Sequence, residues 1–266
     1  MANSSVRASA PRLIALCVLA SVAHFPALAR IVGADDRRLL PPPLEAPFSG
    51  VGRLVCRDPG SGERFSTTAT LVGDRATLVA AGHYGRVQMP GRSTVIAIEY
   101  CAFELRSVDG KRVFGSLVAP QPVTRFSARA EPDPLTPDWA ILKLRTAAPL
   151  SVSPIIVRPM EASKLARRSD VFMVSYHSFP EELARMKRYS PGCRLSAIRG
   201  QPLVFRHTCD TESGSSGGLL YIMTSAGPRG VGLNHGSAIG ANWNYGQIIS
   251  KEMVRTLPRE GVDTSP

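Results

Sequence analysis

Three segments of the chain carry residue types that can do covalent chemistry. Thr77-Leu-Val-Ala-Ala-Gly-His83 is an apolar run that ends in a small-residue turn and an imidazole. Pro137-Asp138-Trp-Ala-Ile-Leu-Lys-Leu144 sets one carboxylate immediately before a second apolar run. Cys209-Asp-Thr-Glu-Ser-Gly-Ser-Ser216-Gly-Gly-Leu-Leu-Tyr221 is a glycine-rich turn entering an apolar segment, with a serine at its tip. A serine hydroxyl is a weak nucleophile until a base takes its proton. An imidazole does so best when a carboxylate fixes its tautomer and stabilises the cation that forms. Ser216, His83 and Asp138 are thus a candidate nucleophile, base and orienting acid. Singly, each has a plainer reading as a loop serine, a surface histidine and a turn aspartate.

The core of the third segment, Gly214-Ser-Ser-Gly-Gly218, fits both G-x-S-G-G and the G-x-S-x-G elbow of α/β-hydrolases. The elbow needs serine, then acid, then histidine along the chain. After Ser216 the first acidic residue is Glu252, beyond His235, so that order is not available. Histidine, aspartate, serine is the order of the other arrangement. Glycine at 214 lets the backbone turn the N–H groups of Gly214 and Ser216 toward one point. Such an oxyanion hole stabilises developing charge by about 3 kcal/mol per donor.

The elements around these segments read as strands. Val51 to Cys56, Phe65 to Val72, Thr77 to Ala81, Thr94 to Phe103, Arg112 to Val118 and Trp139 to Leu144 follow one another without helical period. The small and Pro-containing stretch Thr146 to Pro154 suits a crossing between two units. Strand runs resume at Ile155 to Val157, Val171 to Tyr176, Leu203 to His207, Gly218 to Met223, Val231 to Asn234 and Tyr245 to Ile249. Only Pro180 to Arg188 and Ser250 to Leu257 look helical. Leu39 to Pro47, with three consecutive prolines, is expected to be extended. The expected layout is residues 30–47 as an arm or short pro-segment, 48–149 as a first unit, and 150–266 as a second unit with a C-terminal helix.

Residues 1–29 have the pattern of a secretory leader, with Arg7 and Arg12 before the apolar Leu13 to Ala23 and a small-residue site at Ala27-Leu28-Ala29. Cleavage there removes two arginines and no acid from a chain of net charge +11, which leaves about +9 on the mature protein. That charge is scattered, with no aromatic-basic platform for specific nucleic-acid binding. A membrane span after cleavage is not expected. Cleavage also removes Cys17 and leaves Cys56, Cys101, Cys193 and Cys209, an even number for an oxidising compartment. Of three possible pairings, Cys56–Cys101 and Cys193–Cys209 is favoured because each pair stays within one half of the chain. A zinc site lacks any C-x-x-C pair or clustered histidines.

Together the three segments resemble the His, Asp and Ser motifs of the trypsin-like, chymotrypsin-fold serine proteases, in particular the bacterial glutamyl-endopeptidase-like branch. Gly33-Ala-Asp-Asp-Arg37 and Pro47-Phe-Ser-Gly-Val-Gly-Arg-Leu54 resemble the start of that branch. The resemblance implies two antiparallel β-barrels with the active site in the cleft between them. It implies a secreted or periplasmic monomer that hydrolyses protein or peptide substrates through His83, Asp138 and Ser216, with no metal or cofactor. A catalytically inactive relative that binds proteins, or a basic module that docks on anionic polymers, are the alternatives. The first would be expected to break the triad, and none of the three positions is broken.

The departures bear on activation and specificity. Tyr84 follows the histidine where vertebrate-type members have a half-cystine, and Ser215 replaces the Asp that receives a new N-terminal amine in trypsin-like zymogens. Arg30-Ile-Val-Gly33 imitates an activation site without that acceptor. The pocket candidates are Asp210, Thr211, Asn234 and His235. Asp210 lies six residues before Ser216, where members that cleave after Arg or Lys carry a pocket carboxylate, so Asp210→Asn is expected to weaken any Arg or Lys preference. In the glutamyl-endopeptidase-like branch an Asp at this offset accompanies other specificities, and the alternative is that it only braces the loop. Asn234 stands where that branch has a histidine, and His235 is displaced by one. A one-residue shift along a strand reverses the side chain's face, so cleavage after Glu is not expected to be preferred.

Overall fold

The computed structural model describes residues 30–84, 86–89, 92–120, 124–126, 135–178, 184–237 and 241–264. The N-terminal part contributes β1 (Arg38–Leu39), β2 (Val51–Arg57), β3 (Arg64–Leu71), β4 (Thr77–Ala81) and the ribbon β5 (Arg86–Met89) with β6 (Arg92–Val95). It continues through β7 (Cys101–Arg106), β8 (Arg112–Leu117), β9 (Thr124–Phe126) and β10 (Trp139–Lys143). The C-terminal part holds β11 (Ile156–Val157), β12 (Val171–Ser175), β13 (Arg188–Cys193) and β14 (Leu195–Ile198). After these come β15 (Gln201–His207), β16 (Leu219–Thr224), β17 (Gly227–Ser237) and β18 (Asn244–Ile248). Among the described residues three short α-helices, α1 (Pro42–Glu45), α2 (Ala162–Leu165) and α3 (Lys251–Arg255), and two 3-10 turns, Ile98–Tyr100 and Arg259–Gly261, complete it.

Among the described residues the strands form a seven-stranded sheet, β8-β7-β2-β3-β4-β10-β9, and a nine-stranded sheet, β1-β13-β12-β16-β17-β18-β15-β14, in which β11 lies beside β17. All pairings between named strands are antiparallel except β11 with β17. The fold is therefore all-β, and the two curled sheets are its two barrels. Each wraps its own apolar filling because alternate residues turn inward. In β2 and β7 these are Leu54 and Cys56 with Cys101, Phe103 and Leu105. Val171, Met173, Phe205, Leu220 and Val231 fill the second sheet. A third cluster lies between the two and includes Phe48, Trp139, Phe172, Val174 and Tyr221. Phe48 meets the Tyr221 ring edge-on at 4.9 Å between centroids, a geometry that aromatic quadrupoles favour.

The arm is part of this packing. β1 pairs with β13, so the second sheet begins with residues from the N-terminal end, and Leu40 is buried in the cluster between the barrels. The proline run is not wholly extended as expected. Pro42–Glu45 form a single turn of helix with proline in its first positions, where a missing N–H breaks no intrahelical bond. A second expectation also needs correction, since Arg188 opens β13 rather than closing a helix, and its neighbours on both sides are strands. Residues 180–183 of that stretch lie outside the described residues. The C-terminal helix is found at Lys251–Arg255, with the Ser250 hydroxyl accepting from the Met253 N–H.

The disulfides are Cys56–Cys101 and Cys193–Cys209, the pairing within halves. Their partners are separated by 45 and 16 residues. Loop-closure entropy then assigns about 4 kcal/mol to the first and about 3 to the second. In thermal melts Cys56→Ser/Cys101→Ser is expected to lose more stability than Cys193→Ser/Cys209→Ser. The opposite order would show that loop length does not govern their contribution.

Candidate active site

The meeting of His83 with Asp138 follows from strand register. β10 runs antiparallel to β4 with Trp139 opposite Ala81. The residue before Trp139 therefore faces the turn that follows Ala81, and that turn carries His83. The Nδ1 of His83 is hydrogen-bonded to the Asp138 carboxylate. The aspartate side chain is 6% exposed and the imidazole 17%, so the ring is held at one edge and open at another. From the second sheet, Gln247 Oε1 accepts the Asp138 N–H at 2.8 Å. The acid is thus seated by both barrels.

Ser216 comes from the loop between β15 and β16. Gly214 and Gly217 have φ of +92° and +83°, in the left-handed region that side chains resist. At Gly217 the reason is also steric. A Cβ there would stand 2.1 Å from the Thr68 carbonyl oxygen and 2.9 Å from the Ala81 nitrogen. This approach presses the serine turn against β3 and β4, two residues from His83. Thr68 secures it: its N–H donates to the Ser216 carbonyl at 2.9 Å, and its hydroxyl donates to the Gly214 carbonyl at 2.9 Å. The same hydroxyl accepts the Tyr176 N–H at 2.9 Å. The N–H groups of Gly214 and Ser216, the two oxyanion-hole candidates, have no acceptor among the described residues.

Asn234 supports the loop from below. Its side-chain amide donates to the carbonyl and hydroxyl of Ser215 at 3.1 and 3.2 Å, and its own carbonyl accepts the Gly217 N–H at 2.8 Å. With Nδ2 committed as donor, Oδ1 accepts from His207 Nε2 at 3.1 Å. Burial pushes the His207 imidazole down to about 4, which fits the neutral ring this pattern requires.

The other pocket candidates have different partners. Asp210 is 1% exposed. Its two oxygens accept the N–H groups of Val32 and Asp36 at 2.6 and 2.9 Å. Burial pushes this carboxyl up while the two N–H bonds pull against it. The Thr211 hydroxyl and Asn244 Oδ1 both lie within bonding distance of the Arg30 nitrogen, at 2.9 and 3.2 Å. His235 is buried at a bulge of β17, where pairing with β18 steps from Asn234 to Gly236. That bulge interrupts the simple alternation on which the sequence reading of Asn234 and His235 relied.

A second polar cluster fastens the arm to the serine loop. The buried Arg37 guanidinium bonds Asp35 and Glu212, each at 2.7 Å, and donates to His177 Nδ1 at 2.9 Å. An arginine can only donate, so Nδ1 accepts, and Nε2–H donates to the Ser175 hydroxyl at 3.0 Å. Burial, followed by the charges of Arg37 and Arg188, pushes His177 down to about 3. Thr68, Gln247 and this cluster had escaped notice in the sequence. A threonine in a strand and a glutamine near a C-terminus carry no signal of their own; only the doubled glycine Gly217-Gly218 hinted at a close approach.

No protein-family model and no curated sequence matches the chain. Solved structures do. A Glu endopeptidase structure aligns with 85% of this chain and 96% of its own length, at TM-score 0.63 and 16% identity. The protease Anisep from Arthrobacter nicotinovorans covers 85% of this chain and 99% of itself, at TM-score 0.56 and 14% identity. An inactivated protease paralogue of the scabies mite covers 78% and 92%, at TM-score 0.56 and 13% identity. The chain has the chymotrypsin fold. Among the described residues of this chymotrypsin-fold chain, no group of three or more His, Cys, Asp or Glu is placed to hold a metal ion. No described helix is long and apolar enough to cross a membrane.

Thr68→Val keeps the shape but strands a buried N–H and a buried carbonyl, each worth about 1–3 kcal/mol. It is expected to lower the melting temperature and to slow reaction of Ser216 with a phosphonylating reagent; wild-type values for both would refute the clamp. His177 and His207 are neutral when folded and titrate near 6.5 when unfolded. The unfolded chain therefore binds the extra protons below pH 6.5, and stability present above that pH is lost as pH falls toward about 4 and 3. Urea midpoints should drop between pH 7 and 4.5, less steeply in His177→Gln. An equal slope in the variant would remove His177 from the account.

Proposed function

We propose that the chain is an exported serine endopeptidase of the trypsin-like type, acting as a monomer on peptide or protein substrates. The observation that carries this reading is the His83–Asp138 pair lying two residues beyond the strand against which Gly217 presses the Ser216 turn. The Ser216 hydroxyl attacks the peptide carbonyl as His83 takes its proton through Nε2. Asp138 holds Nδ1–H and so presents that nitrogen to the serine. Negative charge on the carbonyl oxygen is received by the Gly214 and Ser216 N–H groups, which have no other acceptor among the described residues. His83 then protonates the leaving amine, and water hydrolyses the acyl-enzyme by the same steps in reverse. The mechanism calls on no metal or cofactor.

Export is supported by the leader-like residues 1–29 and by two disulfides. The arm is retained in this reading, because Asp210, Thr211 and Glu212 all bond to it. A carboxylate with both oxygens engaged and 1% exposure does not select a cationic side chain, so Asp210 is a brace for the serine loop.

A phosphonylating reagent is expected to label Ser216 in the wild type and to leave Ser216→Ala and His83→Ala unmodified. Mass spectrometry of a peptide library should show cleavage by wild type that Ser216→Ala lacks. Labelling that persists on Ser213 or Ser215 would overturn the assignment, and a protein that neither labels nor cleaves is a binding relative.

A further inference from the structure

Beside the candidate site, the outer face of the first barrel carries cations that its own carboxylates do not balance. Arg53 on β2 lies directly across from Thr68 on one side and from Glu104 on the other. Cross-strand neighbours stand about 5 Å apart at Cβ, so Arg53 is one step from the residue that clamps the Ser216 carbonyl. Its Nη2 donates to the hydroxyl of Ser66, two residues before Thr68 on the same face of β3, at 3.0 Å. Arg106 shares the face, spending its N–H groups on Glu104 at 2.7 Å and on the Gly110 carbonyl at 2.8 Å. Arg112 reaches the other oxygen of Glu104 at 3.8 Å. Three guanidiniums thus lie around one carboxylate, which pairs with two of them.

Arg53 is the one left over. Among the described residues it makes no ion pair and only its Nη2 has a partner. The Nε atoms of Arg53 and Arg106 are buried and without an acceptor, so an incoming carboxylate would meet the outer edge of the Arg53 fork. Burial, then the charge of Arg106, holds the Arg53 pKa below the ordinary arginine value, against the smaller opposing pull of Glu104. Ser66 and Arg53 are both half-buried rather than sealed, and the guanidinium forks suit a carboxylate. A neighbouring residue in an extended peptide is displaced by about 3.3 Å, so a side chain within a few residues of the scissile bond has the reach to meet a face one strand from Thr68.

We propose that Arg53 and Arg106, with the Ser66 hydroxyl, form a subsite for an acidic side chain of the substrate, within three residues of the bond that Ser216 cleaves. This rests on the endopeptidase reading and adds a substrate class to it: polypeptides carrying Asp or Glu beside the cleavage point. The positive face and the acidic residue attract one another before contact as well, so the preference weakens in high salt.

The test profiles wild type, Arg53→Met and Arg106→Gln on peptides in which Asp, Glu, Asn, Gln or Ala stands at each of three positions on either side of a fixed cleavage bond. Arg53→Met keeps the apolar stem, and melting curves establish that each variant folds. The expected result is one position at which Asp or Glu raises kcat/KM about tenfold over Asn or Gln. Both variants, and 0.5 M NaCl, should reduce the factor to about two. A folded, active wild type indifferent to acidic residues at all six positions, or a preference unchanged in both variants, overturns the subsite while leaving the endopeptidase reading intact. Absence of cleavage of every peptide overturns that reading instead. The subsite is then judged by anisotropy with the same labelled peptides and Ser216→Ala, where acidic peptides bind about tenfold tighter or the subsite falls too.

Discussion

One threonine joins the two barrels at the point where the chemistry would occur. Thr68 sits at zero exposure in β3 of the first sheet, yet its hydrogen bonds reach Gly214, Ser216 and Tyr176 of the second. Opposite it Gly217 has no Cβ, because the Thr68 carbonyl and the Ala81 nitrogen occupy that space. The separation of the serine turn from the end of β4 is therefore set by backbone contact, not by side chains that can repack. The distance of the serine turn from the histidine at that strand end, and from the aspartate that the register of β10 places beside it, follows from this contact.

A contact between backbones fixes distance but not the shape of the loop, and the loop is shaped from behind. Asn234 holds Ser215 from one side, while the arm holds Asp210, Thr211 and Glu212 from the other. These supports are polar and largely buried, which is costly unless every partner is present. Their donors and acceptors match: Asp210 receives two N–H groups, and Arg37 serves two carboxylates and an imidazole. The arm thus completes the serine loop, as a further strand completes a sheet, and β1 does the same for the second barrel.

Much of this was legible in the sequence because it rests on local pattern. Short β-type runs marked β2 and β3, unbroken apolar runs marked β4 and β12, and the division of cysteines between halves anticipated the disulfides. The single strand expected from Thr94 to Phe103 is instead broken by a 3-10 turn at Ile98–Tyr100, so that β6 ends at Val95 and β7 starts at Cys101. What remained hidden depends on partners far along the chain. β13 carries Pro191 and Gly192 and β14 is only four residues long, so both look like loop until β1, β12 and β15 are beside them. The bulge at His235 exists only relative to β18. The helical turn at Pro42–Glu45 shows the converse error, in which a residue that forbids helix interiors was read as forbidding helix starts. The three chemical segments were found by residue type and order, while what brings them together was not.

The histidines show how environment divides labour among identical side chains. His177 and His207 each have one ring nitrogen bound to a partner of fixed role, Arg37 as donor and the Asn234 carbonyl as acceptor. Both rings are buried, so each is confined to one neutral tautomer and acts as a rigid spacer. Proton transfer needs the opposite: a partner that welcomes the charged ring, and an open edge. His83 has a carboxylate at Nδ1 and is 17% exposed. At Nδ1 His177 meets the Arg37 cation directly, with the Glu212 carboxylate farther off at 3.9 Å, and His207 meets a neutral amide, whereas His83 meets a carboxylate directly. That contrast, more than position in the chain, is the physical reason for which the proposed mechanism gives the part of base to His83.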